Sequence, residues 1–186
     1  MTLTYFDALP RSYVDVDTSK GVDTQQFLEA TEGVVKLFDL LGSTAFAAVQ
    51  KDMNGNIKKI RDRLLANPAA NANLQDLLAN ESSEKKRVAT EGLLWLTSLN
   101  NTSEELNVSF TKAYEETLKK HHNMFVRPVF ALAMKACPYR QAFYEKLGVV
   151  TEAAREQMET WLKALESIIT IIQKVFEENP AYIKGM

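Results

Sequence analysis

From Thr24 to Phe176 apolar side chains recur at steps of three and four, and nowhere does a strand-length alternation replace them. The longest run, Thr151 to Phe176, sets Met158, Trp161, Leu165, Ile168, Ile172 and Val175 along one face. A helix with such a stripe must bury it against other helices. Thr24–Leu41 repeats the pattern with Phe27, Thr31, Val34, Phe38 and Leu41, and Gly42 is placed as its stop. The spacing predicts further helices over Ser43–Leu65, Leu74–Ala79 and Ser83–Leu99, the last with Val88, Gly92, Trp95 and Leu99 on one side. Thr102-Ser103-Glu104-Glu105 has the form of a capping box, opening a helix through Leu106, Phe110, Tyr114 and Leu118. Pro128 fits the start or a kink of the next helix, which ends at Cys137-Pro138. Pro138 fits the first turn of another, closed by Gly148. The expected fold is all-α, about eight helices joined by short loops and packed in layers.

With 186 residues, 46% of them hydrophobic and 25% charged, the chain suits one domain over 1–186, with residues 1–22 expected to be extended or loosely ordered. A net charge of -2 argues against nucleic acid as a partner. A single cysteine, Cys137, allows no intrachain disulfide, and the acidic N-terminus does not read as a secretory signal. No apolar run is long enough to span a bilayer. A cytoplasmic monomer is the resulting expectation.

No G-x-S-x-G, phosphate-binding glycine loop or H-E-x-x-H motif is present. His121 and His122 are adjacent, so on a helix they cannot converge on one metal ion, and Cys137 has no partner at zinc spacing. The chain is therefore expected to be neither an enzyme nor a holder of a metal or cofactor.

Asp52, Asn56 and Lys59 stand at i, i+4 and i+7, offset by one position from the stripe Phe46, Val49, Met53, Ile57, Ile60 and Leu64. One position is about 100° of rotation, so an acceptor, an amide and a cation adjoin a core-facing surface. Such a row suits a hydroxyl-rich ligand. On spacing alone a solvated face is the more frequent reading of such a row, and Trp95 alone is more often core than ligand platform.

The stretches Leu37–Ser43, Asp52-Met53-Asn54-Gly55-Asn56-Ile57-Lys58-Lys59-Ile60, Thr90–Leu96, Lys120-His121-His122 and Ala136-Cys137-Pro138-Tyr139 resemble the glycolipid transfer protein family. The paired histidines and the Cys-Pro-Tyr-Arg run are most similar to its fungal, heterokaryon-incompatibility branch. The resemblance covers Leu37 to Gly148 and implies a two-layer helical fold enclosing a lipid pocket. It implies non-vesicular transfer of a glycosphingolipid of the glucosyl-, galactosyl- or lactosyl-ceramide type, with reversible contact at a membrane surface. By it, Asp52 and Asn56 take sugar hydroxyls, Lys59 reaches a further sugar oxygen and Trp95 stacks on the first sugar ring. His122 takes the ceramide amide carbonyl, and Asp52 also takes its N–H. Val129, Phe130 and Met134 line the chain pocket, while Met124, Phe125 and Arg127 meet the membrane. A ceramide-phosphate-type carrier and a sensor or adaptor with weak transfer are the alternatives. The branch that carries phosphorylated ceramides has arginine where Trp95 stands, so Trp95 and Asn56 favour a neutral sugar. The segment from Trp95 to Tyr114 is short for the family by about three helical turns, roughly 11 residues, which leaves lipid capacity open.

Overall fold

The computed structural model describes residues 3–42, 44–97, 106–116, 119 and 122–184; side chains at 95–97, 106, 109, 113 and 116 lie outside that description. Among the described residues there are eight α-helices: α1 (Thr24–Leu37), α2 (Ala47–Ala66), α3 (Leu74–Glu81), α4 (Val88–Thr97), α5 (Leu106–Glu116), α6 (Val126–Lys135), α7 (Arg140–Lys146) and α8 (Glu152–Glu178). No strand occurs among them, only two isolated bridges. No helix of the described residues is long and apolar enough to cross a membrane.

The apolar stripe of α2 is buried along its whole length, from Phe46 just before it through Val49, Met53, Ile57, Ile60 and Leu64. That burial turns the helix toward α4, with which it packs more extensively than any other two elements do, and toward α1. On α8, Trp161, Ile168 and Ile172 are buried as the periodicity predicts, and Met158, Leu165 and Val175 pack against the same core. Thr151 caps α8, its hydroxyl accepting from the Ala154 N–H at 3.2 Å.

Several boundaries differ from the expectation. Within the stretch 1–22, expected to be extended or loosely ordered, the described residues 3–22 include two 3-10 turns, Phe6–Ala8 and Tyr13–Asp15. Phe6, Tyr13, Val16 and Val22 are buried, and the Phe6 and Tyr13 rings lie 5.4 and 5.2 Å from that of Trp161. Aromatic area on α8 holds this segment down, a long-range effect no local pattern reveals. The last turn of the first predicted helix tightens to 3-10 over Phe38–Leu41 and ends at Gly42, whose φ of 73° is the left-handed stop that glycine adopts without strain. Thr44–Phe46 is likewise a 3-10 turn, so α2 begins at Ala47. α3 runs on to Glu81. α4 starts at Val88 instead of Ser83, which leaves Val88 exposed and not on the buried face. Pro128 is the third residue of α6. Pro138 lies two residues ahead of α7, outside its first turn. The capping box at 102–105 and Leu99, Leu118, Lys120 and His121 lie outside the described residues.

Candidate functional site

α2 carries the polar row. Asp52 is half-buried, and Asn56 is only 4% exposed, far deeper than a solvated face allows. The reason is Gly92: a Cβ there would stand 3.1 Å from the Asn56 carbonyl oxygen and 3.4 Å from Lys59 Cδ. The missing side chain lets the backbone of α4 settle onto α2 at this position. The same helix carries Trp95 three residues further on; its side chain is outside the described atoms.

The start of α4 is fixed by another buried group. The Glu81 carboxylate, at the end of α3, accepts from the N–H groups of Ala89 (2.9 Å) and Thr90 (2.6 Å) and from the Thr90 hydroxyl (2.7 Å). An acceptor with negative charge at a helix N-terminus satisfies orphan donors and faces the positive end of the helix dipole. It also explains why α4 begins where it does.

Across the face between these helices runs a hydrogen-bonded row. Lys59 Nζ donates to Asn56 Oδ1 at 3.1 Å and lies 3.5 Å from the Glu91 carboxylate of α4. Asn56 Nδ2 donates to the Asp52 backbone carbonyl at 3.1 Å. At the other end His122 Nε2 stands 3.2 Å from Asp52 Oδ2, although 70 residues separate the two in sequence. Burial pushes the Asp52 carboxyl above its ordinary value, and the nearby His122 and Lys59 pull it partly back.

His122 is held on several sides. Its Nδ1 is 3.2 Å from the Tyr114 hydroxyl, and its ring centroid is 4.4 Å from that of Phe130. Its backbone carbonyl accepts from Arg127 Nε at 2.9 Å, and the same Nε reaches the Lys119 carbonyl at 3.0 Å. Tyr114 in turn stacks on Phe130 with centroids 5.3 Å apart. Behind these rings the core continues through Phe110, Phe38 and Phe46, with Phe38 centroids 6.5 and 5.7 Å from the other two.

Of the predicted site residues, the fold thus brings together Asp52, Asn56, Lys59, His122 and Phe130. Met134 is buried and borders a groove of about 300 Å³ between α5 and α6, walled also by Tyr114, Lys119, Arg127, Pro128 and Ala131. Val129 is 43% exposed and faces away from the interior it was expected to line, because α6 turns Phe130, Ala133 and Met134 inward instead. Met124 and Phe125 are 75% and 79% exposed in the loop before α6. Arg127, expected at a membrane phosphate, spends its Nε on two backbone carbonyls of the loop that carries His122. Sequence reasoning assigned no role to Glu91, Tyr114 or Glu81. Glu91 sits inside the quoted Thr-Glu-Gly-Leu-Leu-Trp run, but nothing local ties Glu81 to α4 or Tyr114 to an imidazole.

This arrangement offers carboxylate and imidazole side by side for an amide, then an amide and an ammonium for hydroxyl oxygens. Among the described residues no cluster of three or more metal-ligating groups exists.

The chain is 48% identical over 191 residues to a glycolipid transfer protein of Aureobasidium melanogenum, with 96% of this chain and 95% of that one covered. That aligned span exceeds the matched part of this chain, so the relative carries residues that are missing here. Human pleckstrin homology domain-containing family A member 8 is 30% identical over 200 residues; the match takes in 94% of this chain but 38% of that protein's length. The crystal structure of HET-C2, a fungal glycolipid transfer protein, superposes with a TM-score of 0.86 at 42% identity over 96% of this chain and 99% of that one. That superposition bears out the all-α, two-layer expectation. The family model described as glycolipid transfer protein matches residues 22–149, and on these grounds the chain belongs to the glycolipid transfer protein family.

Proposed function

We propose that this protein binds one glycosphingolipid at a time and carries it between membranes without changing a covalent bond. The observation that carries the reading is the continuous row Lys59–Asn56–Asp52–His122 against the glycine-thinned contact of α2 with α4. In it Asp52, Asn56 and Lys59 take sugar hydroxyls, Trp95 serves the sugar ring, and Asp52 and His122 also clasp the ceramide amide N–H and carbonyl. A ligand without these groups covers the row's spare donors and acceptors without pairing them, a stronger discrimination than apolar contact supplies.

The acyl and sphingoid chains enter among Phe130, Met134 and the aromatic core behind them. Lifting a two-chain lipid into water exposes about 20–30 methylenes at ~0.8 kcal/mol each, a barrier on the order of 20 kcal/mol. An apolar interior that receives the chains as they leave the bilayer removes most of that barrier. The exposed Met124 and Phe125 supply reversible contact with the membrane, and the protein works as a monomer in the cytoplasm, as a single domain spanning 1–186. The test is transfer of glucosylceramide between vesicles: Trp95→Ala and Asp52→Val should abolish it while helicity stays near wild type. Wild-type rates in both variants would refute the assignment.

A second reading, a glycolipid sensor or adaptor with weak transfer, draws on the shorter stretch between Trp95 and Tyr114. Stoichiometric lipid binding with slow transfer supports it, and brisk transfer excludes it.

A further inference from the structure

The row just described uses His122 as a donor, and a neutral imidazole donates from only one nitrogen. Which one is set by what the other nitrogen meets. The geometry points to Tyr114 as the positioning residue that fixes His122 with its proton on Nε2, ready for the amide carbonyl of the lipid; this rests on the reading under Proposed function.

Both ring nitrogens have a partner in the fold: Asp52 Oδ2 at 3.2 Å from Nε2, and the Tyr114 hydroxyl at 3.2 Å from Nδ1. An ionised carboxylate only accepts, so Nε2 carries the proton and Nδ1 presents a lone pair. The Tyr114 O–H is then the donor to Nδ1. Burial raises the Tyr114 phenol above its ordinary value, so the hydroxyl keeps its proton. Tyr114 is itself buried and stacked on Phe130, and His122 packs against the same ring. The hydroxyl therefore cannot swing away without disturbing that aromatic packing. The two partners lie at opposite edges of the imidazole, so they fix its orientation as well as its tautomer. When a lipid amide arrives, its N–H takes the Asp52 oxygen and its carbonyl takes the Nε2 proton, while the bond to Tyr114 stays in place. The ring is thereby ordered before the ligand binds.

Tyr114→Phe removes one oxygen and leaves the ring stack. The chain has only two histidines, so ¹⁵N NMR of the imidazoles at neutral pH is readily assigned. The wild type should show His122 with Nε2 protonated and Nδ1 bare. The variant should shift the Nδ1 signal and bind glucosylceramide about tenfold more weakly, one hydrogen bond's worth. Its affinity for glucosylsphingosine, which has the sugar but no acyl carbonyl, should be unchanged. A wild-type Nδ1–H tautomer, or equal losses for both lipids, or no loss for either, overturns the inference. If the variant fails to fold, the wild-type Nδ1 signal decides it: a lone pair that accepts from the phenol lies upfield of a free one, and a free Nδ1 overturns the inference. A wild type that ignores glucosylceramide yet shows the Nε2–H tautomer sinks the proposed function and leaves the tautomer assignment standing.

Discussion

Asp52 shows what single side chains contribute and what they cost. Its carboxyl is held above the ordinary 3.8 of an aspartic acid, first by burial, against the opposing pull of His122 and Lys59. Just above pH 3.8 the folded chain keeps a proton that the unfolded chain has lost, so stability falls as pH rises through that window. This is the reverse of a carboxylate whose value is depressed on folding. Asp52→Asn should flatten that part of a urea-denaturation series taken against pH; an unchanged slope would assign the burial cost elsewhere. The trio on α2 was legible in the sequence because all three residues share one helix and a fixed angular offset from the core stripe. Its depth was not: Asn56 is buried because residue 92, on another helix, is glycine. The approach of His122 to Asp52 was available only through family resemblance, since no spacing connects positions 70 residues apart.

Among the elements, the pairing of α2 with α4 decides whether the row exists. Gly92→Val should cost about 1–3 kcal/mol in urea unfolding, because its Cβ meets the Asn56 backbone and the added methyls have no room. The same variant should weaken glycolipid binding more than Gly92→Ala does. Equal stability to wild type would mean that the two helices separate freely. Glu81→Ala should cost about 1–3 kcal/mol, because two backbone donors of α4 and the Thr90 hydroxyl lose their acceptor inside the core. Thermal or urea unfolding checks this, and a neutral result would contradict the capping role. Helix existence was readable throughout, from three- and four-residue periodicity, because that pattern depends only on which face meets the core. Boundaries were less readable where tertiary contacts set them. α4 begins late because Glu81 caps it, and Pro138 falls outside α7, whose first residue is Arg140. Residues 3–22 carry no helical period, yet the Phe6 and Tyr13 rings pin them to Trp161 of α8.

Across the whole molecule, one end gathers the polar row, the His122 loop and an exposed apolar edge. Met124 and Phe125 are exposed in the loop between His122 and α6, so under the proposed function the surface that would touch a bilayer follows His122 by two and three residues in the chain. The double variant Met124→Ser, Phe125→Ser should reduce vesicle association and transfer without lowering the melting temperature, because both side chains are already in water. Undiminished association would place the membrane contact on another face. Family membership was visible from ordered motifs between Leu37 and Gly148, and the superposition on a fungal relative extends the match to almost the whole chain. The direct test of the account is a paired transfer assay with wild-type protein, moving glucosylceramide in one arm and ceramide phosphate in the other between neutral vesicles. Rapid transfer of the glycolipid with little of the phosphate is the predicted result. Equal transfer of both, or preference for the phosphate, would contradict a site built from Asp52, Asn56 and Lys59 to recognise a neutral sugar.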